Sequence, residues 1–188
     1  MKTNAGSLKK GEFIFYQSGI WQIQKSDFYS PGKGSALMKT KIKNLMSGKN
    51  IDYSFKSNET VETLDVESIE MQYLYKDNEN IYLMDERSYN QFTVPVATVG
   101  SVADFMKEGD KVFVYVYDEK ALNIRPPMSV RLKVVETEEA VKGDTVSGAK
   151  KPAKLETGVT IMVPLFVKQG ETIMVNPEAG TYTERVKQ

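Results

Sequence analysis

Residues 37–44 read LMKTKIKN, and the alternation in them decides the fold class. Met38, Thr40 and Ile42 alternate with Lys39, Lys41 and Lys43, a period of two that turns one row into a core and a row of lysines into water. Residues 129–136, SVRLKVVE, repeat the pattern, with Val130, Leu132 and Val134 set against Ser129, Arg131 and Lys133. Between them, IEMQYLY and NIYLMDE flank KDNE, and KVFVYVY and ALNIR flank DEK, each a pair of strands joined by a polar turn. SVADFMKEG is the one helical stretch expected, with Ser101 as N-cap and Gly109 as stop. Many short strands with turn residues about every 8–12 positions predict an all-β chain of small barrels or sandwiches.

The composition shifts near Leu64 and again at Pro126-Pro127, where the prolines deny a strand its ladder hydrogen bonds. Three units are therefore expected, 1–64, 65–127 and 128–188. Units of about sixty residues are small for independent cores, so neighbours are expected to share packing. The lysine row also suits an edge strand guarded against pairing with another chain.

The chain has no cysteine and no histidine. That removes disulfides, thiolate and imidazole metal ligands, and every nucleophile or base built on those side chains. No metal site, no cofactor and no enzymatic activity are expected. No run approaches the roughly 18 apolar residues of a membrane span, and the opening MKTNAGSLKKGEF lacks the apolar core of a signal peptide. A cytoplasmic protein without membrane contact is expected. The net charge is zero, yet residues 1–64 hold 10 basic and 5 acidic residues (+5), residues 65–127 hold 6 and 12 (−6), and residues 128–188 hold 9 and 8 (+1). A basic first third beside an acidic middle points to a polyanion touched at one end.

Residues 29–36 read YSPGKGSA. Pro31 fixes its own φ and biases Ser30 toward extended geometry, while Gly32 and Gly34 accept positive φ. Set between FIFYQSGIWQIQKSDFY and ALMKTKIKNL, the stretch reads as a hairpin tip with Lys33 as its most protruding side chain. The spacing of a phosphate-cradling loop is absent and a strand follows, so no helix N-terminus faces an anion. A Schiff-base role needs burial or a second cation, which a glycine-flanked tip does not offer. Two readings of the residues stay open: a turn whose lysine keeps the tip soluble, and a slender cationic probe for a negatively charged cleft.

SPGKGSA resembles the modified-lysine loop of the bacterial elongation factor P family, relatives of the hypusine-bearing initiation factor of archaea and eukaryotes. KIKNLMSGKNIDYSFKSNETVE resembles the stretch after that loop, and MQYLYKDNENIYLMD the start of the family's second domain. VKGDTVSGAKKPAKLETGVTIMVPLFVKQGETIMVNPEAGTYTERV resembles its C-terminal signature, so the likeness spans nearly the whole chain.

The resemblance implies an SH3-like barrel followed by two OB-fold barrels, elongated like a tRNA. It implies a monomer that binds both ribosomal subunits beside the P-site peptidyl-tRNA, stimulates peptide bond formation and relieves stalling at consecutive prolines. Lys33 matches the lysine that a modifying enzyme extends toward the peptidyl transferase centre, and Pro31, Gly32, Gly34, Ser35 and Ala36 match the loop that presents it. Lys39, Lys41 and Lys43, with Lys49 and Lys56, would meet the RNA of the acceptor arm. Gly143, Asp144, Thr145, Tyr182 and Arg185 match positions expected to touch the small subunit or the codon. The chain departs from the resemblance at Ser30, where a lysine is common, and at Glu138-Glu139-Ala140, where a Pro-Gly pair is usual. The competing function is a generic RNA-binding or ribosome-associated barrel protein without effect on peptidyl transfer.

Overall fold

A computed structural model of the chain describes residues 1–139 and 148–186, and their regular structure is almost wholly β-strand. The first sheet contains β1 (Lys2–Asn4), β2 (Phe13–Tyr16), β3 (Gly19–Tyr29), β4 (Leu37–Asn44), β5 (Asn50–Lys56) and β6 (Thr60–Leu64). They pair in the order β1-β6-β2-β3-β4-β5. The alternation of LMKTKIKN is realised: Met38, Thr40 and Ile42 are buried, Lys39 and Lys41 are exposed, and Lys43 is half-buried. Thr40 is tolerated inside because its Oγ1 donates to the Tyr53 carbonyl at 2.8 Å, which satisfies the buried hydroxyl. Because β4 lies between β3 and β5, its lysine row does not guard a sheet edge, and the edge-strand explanation fails.

Ile14, Ile23, Ile42 and Phe55 are fully buried in this SH3-like barrel. Phe55 meets Tyr53 and Tyr16 edge-on, with centroids 4.6 and 5.5 Å away. Trp21 is also buried and donates its Nε1–H to the Tyr16 carbonyl at 2.8 Å. Burial of each such side chain contributes about 1.5–3 kcal/mol.

The second sheet contains β7 (Glu67–Lys76), β8 (Asn80–Met84), β9 (Gln91–Pro95), β10 (Lys111–Tyr117) and β11 (Lys120–Arg125), ordered β11-β10-β7-β8-β9. The third contains β12 (Val130–Thr137), β13 (Lys150–Leu155), β14 (Thr160–Pro164), β15 (Thr172–Asn176) and β16 (Thr181–Arg185), ordered β14-β13-β12-β15-β16. In both, the first strand of five lies between the second and the fourth, the Greek-key connectivity of an OB fold. The KDNE turn forms as expected: Asp77 Oδ1 accepts the backbone N–H of Glu79 at 2.8 Å and of Asn80 at 2.7 Å. The β10–β11 turn is narrower than DEK. Asp118 and Glu119 alone make it, with φ of 51° and 60°, the left-handed pair of a two-residue hairpin.

The helix is placed differently from expectation. A single turn, α1 (Val96–Val99), leads into a 3-10 segment over Gly100–Phe105, and Ser101 caps neither. Gly100 at φ +69° ends the first turn, and Gly109 belongs to the later turn before β10. Packing overrides the capping signal, because Val102, Ala103 and Phe105 are all buried.

Contacts divide the molecule into two units, Met1–Ile69 with Val114–Asn123, and Glu70–Phe113 with Ile124 onward. In the first, Tyr115 and Leu122 pack with Phe13, Leu45, Ile20 and Leu64, and the Phe13 and Tyr115 rings lie edge-on at 5.3 Å. In the second, Phe105 joins a core of Leu132, Val134, Leu155, Val163 and Ile173. Lys107 adds an ion pair to Glu156 at 3.1 Å. Among the described residues no helix is long and apolar enough to cross a membrane.

Candidate functional site

The β3–β4 hairpin is a long antiparallel ladder running from Trp21 opposite Asn44 to Tyr29 opposite Leu37. Beyond that last pair, Ser30 to Ala36 leave regular structure, and Gly32, Lys33, Gly34 and Ser35 are all exposed. Gly34 has φ +109°, a backbone that disfavours any side chain. Gly32 does not take positive φ, so of the two expected glycines one carries the conformational requirement. Among the described residues, the hydrogen bond tying down this loop is the one from Ser57 N–H to the Ala36 carbonyl at 2.9 Å. Pro31 stiffens the entry, Gly34 turns the exit, and Lys33 between them is a cation in water.

Behind the tip, direct cross-strand partners share a face of the sheet. Asp27 opposes Lys39 and Lys25 opposes Lys41, after a bulge between Ile23 and Lys25. Across β5, Lys39 opposes Ser54, Lys41 opposes Asp52 and Leu37 opposes Lys56. One face therefore carries Lys25, Lys39, Lys41, Lys43 and Lys56 against Asp27 and Asp52. Lys25 is drawn to Asp27 at 2.8 Å, and that hydrogen bond holds its ammonium above the usual lysine value. The remaining lysines leave the face cationic, able to meet phosphates along a backbone. Lys49 lies outside this row, exposed in the β4–β5 turn.

In the C-terminal barrel, Tyr182 and Arg185 both lie on β16. Three residues apart on a regular strand they would face opposite ways. An irregularity between Met174 and Val175 makes Val175 oppose Tyr182 and Ile173 oppose Arg185, and the extra residue returns both side chains to one face. They meet at Phe166, which sequence reasoning missed. Its ring is 6.4 Å from the Tyr182 ring and 5.9 Å from the Arg185 guanidinium, and it is 57% exposed. Arg185 also pairs with Glu171 at 3.2 Å. Tyr182 is partly buried against the barrel core. The signal that could have found Phe166 is its place in VPLFVKQGE, an aromatic two residues past the end of β14 and next to Val167, which anchors the turn in the core. Gly143, Asp144 and Thr145 lie outside the described residues.

Among the described residues, no group of three or more acidic side chains is placed to hold a metal. The first barrel thus offers cations and one presented amine, and the third offers an aromatic-guanidinium cluster.

Residues 4–61 match the family model for the elongation factor P KOW-like domain, residues 66–124 the model for the elongation factor P OB domain, and residues 130–185 the model for the elongation factor P C-terminal region. Elongation factor P of Finegoldia magna is 40% identical over 182 residues, covering 97% of this chain and 98% of the relative. Elongation factor P of Aquifex aeolicus is 39% identical over 181 residues, covering 96% and 94%. A solved structure of initiation factor 5A from Methanococcus jannaschii is similar in fold, with TM-score 0.54 at 18% identity over 66% of this chain and 92% of that one.

Proposed function

The chain belongs to the elongation factor P family and is a translation elongation factor, and from that premise we propose that it acts inside the ribosome with Lys33 as its working tip. In this reading the factor binds across both subunits beside the P-site peptidyl-tRNA. It accelerates peptide bond formation and relieves stalls at consecutive prolines. Proline is a poor nucleophile and a strained donor, so the slow step yields to whatever holds the tRNA end in reactive geometry. The factor supplies position rather than a catalytic group of its own and is not an enzyme.

The observation that carries this reading is the bare loop. Lys33 is exposed, glycine-flanked and without a partner among the described residues, at the end of a hairpin whose solvent face is lined with lysine. Such a tip enters a narrow anionic cleft where a bulkier one would clash. Lys39, Lys41 and Lys43 then follow the acceptor arm, while Gly143, Asp144, Thr145, Tyr182 and Arg185 face the small subunit or the codon. A lysine-modifying enzyme lengthens Lys33 in the cell. The acidic middle segment faces a basic ribosomal protein. Segments 1–64, 65–127 and 128–188 act as three domains of a cytoplasmic monomer.

The test is translation of a reporter with consecutive prolines, with and without the factor. Relief of the stall by the wild-type chain supports the reading. Tight ribosome binding with no change in peptide bond formation favours the plain RNA-binding barrel. Intact mass of the natively expressed protein tests the modification: added mass at Lys33 supports it, and full activity at unmodified mass refutes it.

A further inference from the structure

The lysine face contains one aromatic ring that the first barrel's core does not use. Tyr29 occupies the last paired position before the loop, on the same face as Lys25, Asp27 and Lys39. It is 48% exposed and absent from the buried cluster of this barrel. The Lys39 ammonium sits over one face of the ring, 4.3 Å from its centroid, a cation–π contact that fixes the ring and leaves its opposite face as the one a base would stack on. The same lysine borders a shallow cavity of about 300 Å³, lined also by Lys25, Asp27, Lys41 and Asp52. In that cavity Lys25 and Lys41 oppose each other directly across the strands, with Asp27 2.8 Å from Lys25 and Asp52 opposite Lys41 as counter-charges, which leaves Lys39 as the cation turned to the ring.

An aromatic face beside clustered cations is the combination that binds an unpaired nucleotide: the ring stacks the base and the cations take the phosphate. A plain phosphate site has no use for the ring, and a cationic or apolar peptide has no use for the lysines. We propose that Tyr29 and Lys39 form a stacking site for an unpaired base at the 3′ end of the acceptor arm, with Lys39 on the adjoining phosphate. This rests on the function proposed above and deepens it. The loop carrying Lys33 begins one residue beyond Tyr29, so a base held on Tyr29 stands at the root of the extending lysine and gives the loop its bearing on the RNA. Tyr29 is a positioning residue in this scheme.

The test uses the full-length chain and an RNA minihelix with a single-stranded 3′ extension ending in 2-aminopurine. Stacking on tyrosine quenches that base. The wild type should quench it and bind it more tightly than a blunt minihelix. Tyr29→Leu should lose the quenching and about tenfold in affinity for the extended RNA, with unchanged affinity for the blunt one. Tyr29→Phe should restore both. Lys39→Gln should reduce the salt dependence of binding by about 0.7–0.9 in log–log slope. The half-exposed ring can be replaced without loss of fold, which the unfolding midpoint of each variant checks. Equal quenching by wild type and Tyr29→Leu, failure of Tyr29→Phe, or no preference for the extended RNA overturns the proposal. A wild-type chain that quenches the base yet leaves peptide bond formation on stalled ribosomes unchanged refutes the function and keeps the site. Full acceleration by Tyr29→Leu refutes the site and keeps the function.

Discussion

Two hairpins of this molecule end in opposite ways. At the β7–β8 tip, Asp77 organises the turn: its carboxylate accepts from Glu79 N–H, Asn80 N–H and the Tyr82 hydroxyl, the last at 2.9 Å. At the β3–β4 tip, Lys33 stands between glycines with no partner among the described residues. A turn that satisfies its own groups stabilises a sheet; one that leaves a charge unsatisfied does little for the fold and is available to something else. The contrast separates residues that hold the molecule together from residues that work.

The largest effect expected from breaking that contrast comes from the core beneath the bare hairpin. Phe55 is fully buried beside Tyr53 and Tyr16, so Phe55→Ala should lower stability by about 3–5 kcal/mol in urea unfolding. A loss below about 1 kcal/mol would show that the ring cluster is not the centre of the first barrel.

Next in size is Gly34→Ala. At φ +109° a side chain costs on the order of 1–3 kcal/mol in the loop's present conformation. Because the loop has so few ties, it should shift rather than unfold the barrel. The unfolding midpoint should hardly move while stimulation of peptide bond formation falls. Gly32→Ala has open space around it and no positive φ, so it should keep the wild-type midpoint and loop conformation and lose less stimulation than Gly34→Ala, its loss measuring only the bulk added to the tip; equal losses by the two variants would contradict the account of the loop.

A smaller effect separates the satisfied turn. Hydrogen bonds from Asn80 N–H, Glu79 N–H and the Tyr82 hydroxyl hold the Asp77 carboxyl below its ordinary value of 3.8. A group with a depressed folded pKa contributes stability that is complete above the unfolded value and lost as the pH falls through the folded one. The melting temperature of Asp77→Asn should therefore lie below that of wild type at neutral pH, and the gap should close below about pH 4. A gap constant down to pH 2 would rule out the charged carboxylate as its source. The smallest effects belong to the lysine face. Lys41→Gln, at an exposed position, should reduce the salt dependence of ribosome binding by about 0.7–0.9 in log–log slope with no change in melting temperature.

Legibility in the sequence followed polarity contrast. LMKTKIKN and SVRLKVVE alternate apolar with charged residues, so both the strand and its inward face could be read, and the β class with them. KVFVYVY is apolar on both faces; nothing in it marks Tyr115 for burial against Phe13 while Phe113 stays 44% exposed. The helical stretch was misplaced because Ser101 and Gly109 look like caps, whereas burial of Val102, Ala103 and Phe105 fixes where the turns lie. The lysine tip was legible as an exposed turn from its glycines and proline alone. Its contrast with the rest was not, since the absence of ties is a property of the folded loop. Phe166 beside Tyr182 and Arg185 was hidden for a third reason: the irregularity in β16 that aligns the two residues has no signature in GTYTERV. Tyr29 read as one more strand aromatic until its register set it on the lysine face.

The central claim is that Lys33 serves the ribosome and not the fold. The most direct measurement is the rate of peptide bond formation on ribosomes stalled at consecutive prolines, at saturating wild-type factor and at saturating Lys33→Ala, with the unfolding midpoint of both proteins recorded alongside. The account predicts that Lys33→Ala loses most of the acceleration while its midpoint matches wild type. Full acceleration by Lys33→Ala, at the same occupancy of the ribosome, would contradict it.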